Sequence, residues 1–155
     1  MQKKEKMKIC LISSSGGHFE QLKMLMKLKE KYDVYVVTEK TEYQEACDYT
    51  LLTGKRNKLL GKLIFFCNIF YSLKHLIKEC PDVIISTGTR LAIPTIVWGK
   101  LFGKKVVYIE TFARVYDGTK SAKFVYKYKL YDLFIYQWEP LKKIYPNGVY
   151  GGGIY

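Results

Sequence analysis

Short runs of consecutive apolar residues recur along the chain, and segments with a helical spacing of apolar residues separate them. A run that is apolar at nearly every position is typical of a strand buried on both faces of a parallel sheet. The predicted strands cover residues 7–13, 33–38, 49–53, 82–87, 105–109 and 132–137, and the run at 49–53 is the weakest. The first predicted helix starts at residue 19, and two further helices cover 58–79 and 91–102. Short helices are predicted before 132 and at 138–145.

This alternation of strands and helices predicts the α/β class, as a Rossmann-like parallel sheet with helices on both faces. The chain has 155 residues, of which 48% are hydrophobic, which is enough for one proper core. No repeat, low-complexity tract or linker divides it. The sequence therefore predicts a single domain over residues 1–155.

The charge of the chain is strongly positive. It has 26 Lys and Arg against 14 Asp and Glu, a formal net charge of +12. Such a charge favours an anionic partner, which is a nucleic acid, a membrane surface or a phosphorylated ligand. Arginine is scarce and the aromatic residues lie in apolar runs, so a nucleic-acid partner is disfavoured and anionic lipid head groups are favoured. A lysine-rich genome is the alternative explanation, and it stays open.

Cysteine and histidine are too scattered for a metal site. The four cysteines include no Cys-x-x-Cys pair, and the only histidines are His18 and His75. No acidic pair with metal-ligand spacing stands out, so no metal and no other cofactor is expected. Free cysteines in apolar runs fit a reducing cytoplasm. The apolar run that follows the basic first residues is too short for a signal peptide.

Polar loops follow three of the predicted strands, at the edge of an open parallel sheet where ligands bind. The first loop, Ser14-Ser15-Gly16-Gly17, leads into a helix. Its glycine backbone and the free N–H groups of the helix start suit a phosphate or diphosphate. The loop matches neither of the common glycine-rich nucleotide-binding patterns, and a tight turn without a ligand is the alternative.

Two residues beside these loops suit proton transfer. His18, in the first turn of the helix, suits a general base or a donor to a diphosphate, although a histidine at a helix start is more often structural. Glu110, directly after a strand, suits binding or deprotonating a sugar hydroxyl. A helix cap or an ion pair with Arg114 is the alternative for Glu110. We expect His75, inside the long helix, at the surface.

The second and third loops add polar groups at the same edge of the sheet. Thr87, Gly88, Thr89 and Arg90 follow one strand, and Arg114 follows another. These side chains suit the binding of a further polar or anionic group, and a plain turn is the alternative.

The long helix at 58–79 contains an apolar run from 63 to 73 with Phe65, Phe66 and Phe70. A helix that is apolar all round is buried in protein or in lipid. The run is shorter than the roughly 20 residues that span a bilayer, and lysines bracket it, so we expect it to lie in the membrane interface. Packing against the sheet alone is the alternative.

Five motifs in this order resemble a known family: Ser-Ser-Gly-Gly-His at 14–18, Ser-Thr-Gly at 86–88, Glu-Thr-Phe-Ala-Arg-Val at 110–115, Gln-Trp-Glu at 137–139 and Tyr-Pro-Asn-Gly-Val-Tyr-Gly-Gly at 145–152. The chain resembles the non-donor subunit of two-component glycosyltransferases, whose bacterial relatives act in capsule and exopolysaccharide synthesis. The resemblance covers almost the whole chain.

The resemblance implies the N-terminal half of a GT-B glycosyltransferase, which binds a polyprenyl-diphosphate-linked sugar. A separate donor-binding subunit would share the UDP-sugar and complete the hexosyltransferase. Gly16, Gly17 and His18 match the loop that faces the acceptor diphosphate, and Glu110 matches a glutamate at the cleft. Eukaryotic members carry a transmembrane anchor that is not seen here, so a peripheral location at the cytoplasmic face of a bacterial plasma membrane is expected.

The tail combines three glycines with the flanking residues Tyr150, Ile154 and Tyr155. Tyrosine is favoured at interfaces because its ring buries area while its hydroxyl stays paired. We therefore expect the tail to dock on the donor-binding subunit, with the alternative that it completes this domain's own sheet. A self-sufficient phosphate- or nucleotide-binding domain remains the alternative for the whole chain.

Overall fold

Seven parallel strands form one sheet in the computed structural model, which describes residues 6–40, 46–53 and 58–154. The strand order is β3-β2-β1-β4-β5-β6-β7. The strands are β1 Lys8–Ile12, β2 Asp33–Glu39, β3 Tyr49–Leu51, β4 Val83–Ser86, β5 Lys105–Ile109, β6 Leu133–Tyr136 and β7 Val149–Tyr150. The predicted Rossmann-like α/β fold class is confirmed.

Four α-helices connect the strands within the described residues. They are α1 Gly17–Met24, α2 Lys58–Glu79, α3 Ile93–Leu101 and α4 Lys120–Lys127. Three 3₁₀ segments accompany them, at Leu25–Glu30, Arg90–Ala92 and Glu139–Lys143. Pro94 lies in the first turn of α3, where its missing N–H costs nothing, and Gly103 follows the helix with a φ of +69°.

Each face of the sheet has its own apolar core. On one face, Phe19 and Leu22 of α1 pack with Ile9, Leu11 and Val36. Fully burying a side chain of this size stabilises the fold by about 1.5–3 kcal/mol. The opposite face carries the larger core, in which residues of α2, α3 and α4 cover strands β1, β2, β4, β5 and β6. Because both faces of the sheet are covered, the strands are apolar at nearly every position.

The expectation that His75 lies at the surface is wrong, because its side chain is only 2% exposed. It shares the inner face of α2 with Asn68 and Ser72, at helical spacing. These buried polar groups have partners: Thr95 Oγ1 donates to Ser72 Oγ at 2.9 Å and lies 3.4 Å from His75 Nε2. Burial lowers the pKa of His75 to about 4, because the charged ring would lose its water.

The tail forms the edge strand β7. Val149 and Tyr150 pair with β6, and the N–H of Gly151 donates to the carbonyl of Tyr136 at 3.0 Å. The N–H of Ile154 donates to Gln137 Oε1 at 3.0 Å. The alternative in which the tail completes the sheet therefore describes the structure. The side chains of Val149 and Tyr150 remain about half exposed, and Tyr155 lies outside the described residues.

Candidate functional site

The loop after β1 is held by a residue that the sequence interpretation missed. Both the N–H and the hydroxyl of Ser15 donate to Glu39 Oε1, at 3.1 and 2.7 Å. Glu39 is the last residue of β2, which is the parallel neighbour of β1, so the two strand ends meet at one edge. The signal was an acidic residue at the carboxyl end of a predicted strand. Gly16, at φ +76°, then turns the chain into α1.

His18 joins the first loop to the loop after β4. Its Nδ1 lies 2.8 Å from the carbonyl oxygen of Thr87, and the Thr87 hydroxyl donates to the carbonyl of His18 at 2.8 Å. A carbonyl can only accept, so Nδ1 carries the hydrogen, and in the neutral form of the ring the lone pair is on Nε2. This tautomer is the one that a general base acting through Nε2 needs.

Gly88 is required where the two loops meet. It has a φ of +98°, and a Cβ there would lie 3.1 Å from His18 Cε1 and 3.7 Å from the Tyr108 hydroxyl. The Tyr108 hydroxyl is buried with no hydrogen-bond partner among the described residues. Burial, and then the charge of Glu110, raise the pKa of Tyr108. Tyr108 therefore stays neutral beneath this junction, and its hydroxyl can make a further hydrogen bond.

A cavity of about 360 Å³ opens at the ends of β1, β2 and β4. Its walls come from Ser14, Ser15, Glu39, Leu52, Thr53, Gly61, Ile64, Phe65, Asn68, Thr89, Arg90 and Leu91. Four residues predicted to bind the acceptor therefore share one cavity, namely Ser14, Ser15, Thr89 and Arg90. Gly16 and Gly17 lie beside it on the exposed side of the first loop.

The predicted membrane residues divide between two surfaces. Phe65 forms part of the cavity wall, and the guanidinium of Arg90 lies 5.1 Å from the centre of its ring. Phe66 and Phe70 are 62% and 64% exposed on the outer side of α2. Helical geometry makes this division, because adjacent residues on a helix point about 100° apart. Membrane contact therefore stays a prediction for Phe66 and Phe70, and Phe65 belongs to the cavity.

An exposed apolar stripe runs along α2. Its members are Leu60, Leu63, Phe66, Phe70 and Ile77. By length and composition alone, Leu60–Glu79 is long and apolar enough to cross a membrane, so the apolar part of the helix is longer than the run at 63–73. A position in the membrane interface stays a prediction. The inner face of the same helix packs on α3 through Trp98, whose Nε1–H donates to the carbonyl of Ile69 at 3.1 Å. The inner face of α2, which carries Asn68, Ser72 and His75, thus packs inside the protein, and the apolar stripe on its outer face is exposed.

Glu110 is fully buried and accepts four hydrogen bonds. Oε1 accepts from the Thr111 N–H at 2.9 Å and the Thr119 hydroxyl at 3.0 Å. Oε2 accepts from the Thr119 N–H at 3.1 Å and the Tyr145 hydroxyl at 2.8 Å. Burial, and then the charge of Glu110, raise the pKa of Tyr145. The carboxylate therefore fastens the 110–119 loop to the start of α4, and proton acceptance from a substrate stays a prediction.

Arg114 stands apart from the other predicted residues. It is exposed and pairs with Asp117 at 3.1 Å instead of with Glu110, so the ion-pair alternative for Glu110 is wrong. Arg114 lines no part of the cavity. Across residues 6–40, 46–53 and 58–154, no group of three or more His, Cys, Asp or Glu side chains could hold a metal ion.

The chain is similar to proteins of one known family. The profile of the family described as "Oligosaccharide biosynthesis protein Alg14 like" matches residues 57–154. The chain belongs to the Alg14 family. It is 32% identical over 130 residues to the human UDP-N-acetylglucosamine transferase subunit ALG14, covering 80% of this chain and 54% of the human protein. The rat protein of the same name is 30% identical over 181 residues, covering 94% of this chain and 82% of the rat protein.

Solved structures with the same fold are more than twice as long as the part that this chain matches. UDP-GlcNAc 2-epimerase from Methanocaldococcus jannaschii matches with a TM-score of 0.70 and 16% identity, over 91% of this chain and 42% of the epimerase. MurG from Acinetobacter baumannii matches with a TM-score of 0.65 and 16% identity, over 85% of this chain and 41% of MurG. At this identity the likeness concerns the fold alone, and this Alg14-family chain corresponds to less than half of each solved chain.

Proposed function

We propose that this Alg14-family chain is the acceptor-binding, membrane-associated subunit of a heteromeric glycosyltransferase. The complex transfers a hexose from a UDP-sugar to a polyprenyl-diphosphate-linked sugar during capsule or exopolysaccharide synthesis. The observation that carries the proposal is the family membership, since the curated relatives are named as subunits of a UDP-N-acetylglucosamine transferase. The polar edge built by the loops after β1, β2 and β4 is where the acceptor binds.

The chemistry that we propose uses His18 and the backbone of the first loop. The free Nε2 of His18 takes the proton of the acceptor hydroxyl, whose oxygen then forms a bond to C1 of the donor sugar while the C1–O bond to UDP breaks. The N–H groups of Gly16 and Gly17 face the acceptor diphosphate at the start of α1. Arg90 adds positive charge from its place over Phe65. Glu110 keeps the 110–119 loop in place from its buried position.

A second subunit supplies the UDP-sugar site in this proposal. Support comes from the curated relatives, which are named as subunits of a UDP-N-acetylglucosamine transferase. The tail offers a surface for it, because Val149 and Tyr150 are half exposed on the edge strand and Leu133, on the neighbouring strand β6, is 39% exposed. Apolar side chains on a sheet edge favour association with another chain.

The membrane contact in this proposal is made by the stripe on α2. Its apolar side chains enter the interface, and the net charge of +12 attracts anionic lipids on the cytoplasmic face of a bacterial plasma membrane. Because the cavity shares α2 with the stripe, an acceptor held in the membrane by its lipid would reach the cavity along this helix.

A reconstituted transfer assay tests the proposal. The purified chain is incubated with a UDP-sugar and a polyprenyl-diphosphate-linked sugar, alone and with a co-expressed donor-binding subunit. We expect product only from the two subunits together, and a loss on the order of a hundredfold for His18→Ala in a complex that still assembles. Robust transfer by the chain alone would contradict the two-subunit proposal. Nucleotide binding by the chain alone, without transfer in either mixture, would favour a self-sufficient nucleotide-binding domain.

A further inference from the structure

Glu39 is a carboxylate in the wall of the cavity whose hydrogen bonds leave one oxygen open. Both donors of Ser15 go to its Oε1, and no described residue donates to its Oε2. No lysine or arginine among the described residues lies within ion-pair distance of it. The side chain is half-buried, so its second oxygen has an unused acceptor beside an open cavity.

This carboxylate makes the Ser15 side of the cavity unsuitable for a phosphate, although Arg90 places a positive charge elsewhere in the same wall. Two negative groups at contact distance repel each other, and the Ser15 donors that a phosphate would need are already used by Glu39. A diphosphate is therefore expected on the other side of the loop, where Gly16 and Gly17 are exposed at the start of α1. Ser14 and Ser15, which the sequence assigned to the diphosphate, line the cavity on the Glu39 side.

The rest of the cavity wall suits a neutral polyol. Leu52, Ile64 and Phe65 supply an apolar side on which the C–H face of a sugar ring packs, and the hydroxyl groups of Thr53 and Thr89 are also in the wall. Asn68 is buried and directed to the backbone of Leu52, with which its amide makes two 2.9 Å bonds. Glu39 is thus left as the strong acceptor of this cavity.

We propose that Glu39 is the residue that recognises the sugar of the acceptor, by accepting hydrogen bonds from its hydroxyl groups on Oε2. The assignment to the acceptor rests on the proposed function. Ser15 acts as the positioning residue, since its two hydrogen bonds fix the carboxylate in the wall. The loop after β1 then separates two subsites, with the sugar on the Glu39 side and the diphosphate on the Gly16–Gly17 side.

The test is a titration of the isotope-labelled full chain, followed by the amide signals of the loop. The probes are methyl glycosides of glucose, galactose and N-acetylglucosamine, and inorganic pyrophosphate. We expect a glycoside to shift Ser15 and Thr53, and pyrophosphate to shift Gly17 and His18. Glu39→Gln removes the charge and weakens glycoside binding about tenfold, the scale of one hydrogen bond to a charged group. The matched control is Glu20→Gln, an exposed glutamate of α1.

Several results would overturn this assignment. They are no glycoside binding at millimolar concentration, glycoside affinity in Glu39→Gln within twofold of the unmodified chain, and pyrophosphate shifting Ser15 and Thr53. The last would mean that the carboxylate only holds the place of a phosphate. If Glu39→Gln does not fold, Glu39→Asp is used instead. Its shorter side chain keeps the charge but moves the carboxylate away from the cavity, and the same loss of glycoside affinity is expected.

The two proposals fail in different ways. In an active complex, Glu39→Gln is expected to raise the KM for the acceptor about tenfold with little change in kcat. A complex that transfers sugar but is indifferent to Glu39→Gln overturns the role of Glu39 alone. A chain that binds glycosides at Glu39 but yields no transfer with a partner overturns the proposed function alone.

Discussion

The carboxylate of Glu110 offers the sharpest test of how this site is held together. Changing Glu110 to Gln replaces one of two oxygens by an NH₂ group. Each oxygen accepts from one backbone N–H and one hydroxyl. A hydroxyl can turn and accept from the new NH₂, but a backbone N–H cannot. Either orientation of the amide therefore leaves the N–H of Thr111 or of Thr119 facing another donor.

The cost of Glu110→Gln follows from these contacts. One buried N–H without a partner costs about 1–3 kcal/mol, and the remaining bonds become weaker because the acceptor loses its charge. We expect a loss of about 2–4 kcal/mol in the free energy of unfolding. For a chain of this length, that corresponds to a fall of roughly 5–15 °C in Tm.

Calorimetry of the purified chain measures this effect, with Glu139→Gln as the matched control because Glu139 is exposed. The control is expected to melt within about 1 °C of the unmodified chain. A Tm for Glu110→Gln equal to that of the control would refute the positioning role. Combined with a transfer rate reduced by on the order of a hundredfold, that result would instead assign Glu110 as a proton acceptor.

Further predictions concern α2, Gly88 and the tail. His75 has a pKa of about 4 in the fold against 6.5 when unfolded. Its contribution to the free energy of unfolding is therefore complete above pH 6.5 and is lost as the pH falls towards 4. When urea unfolding is measured across that pH window, the unmodified chain is expected to lose roughly 3 kcal/mol more of its free energy of unfolding than His75→Gln does. Phe66→Ser is expected to weaken binding to anionic vesicles at unchanged Tm, whereas Phe65→Ser lowers Tm. Gly88→Ala is expected to cost about 1–3 kcal/mol in unfolding because of its positive φ and the His18 ring. Deleting residues 151–155 is expected to stop co-purification of a donor-binding subunit, and unchanged co-purification would contradict tail docking.

Contrary results for the other variants are equally clear. If His75→Gln leaves the pH dependence of unfolding unchanged, the buried neutral histidine does not explain the acid sensitivity. Equal vesicle binding by Phe66→Ser and the unmodified chain, measured by co-sedimentation, would remove the stripe on α2 as a membrane contact. A Gly88→Ala chain that melts like the unmodified one would show that the loop relaxes around the added methyl group.

The sequence predicts the fold well because its signals are local. Apolar runs bounded by loops mark the strands, and the predicted bounds of α2 agree with the structure. The polar loops after β1 and β4 also come together as expected, because parallel strands end at one edge. The strand and helix bounds depend on residues close together in the chain, and the meeting of the two loops follows from the parallel topology.

The features that the sequence interpretation missed depend on distant residues. Glu39 was overlooked because its partner Ser15 is 24 residues away. His75 resembles a surface residue beside lysine, yet Tyr35 and Thr95 from other elements enclose it. The separation of Phe65 from Phe66 depends on the rotation of α2 about its axis, which is set by packing on α3 and the sheet.

Photo-crosslinking in the assembled complex tests most directly whether this chain forms the acceptor side. One probe is a polyprenyl-diphosphate-linked hexose with a diazirine beside the diphosphate, and the other is a photoreactive UDP-sugar. Mass spectrometry of the digested subunits locates each label. Our proposal predicts that the lipid probe labels this chain within residues 13–19 and that the UDP-sugar probe labels the partner subunit. Labelling of the partner by the lipid probe, together with labelling of residues 13–19 by the UDP-sugar, would contradict it.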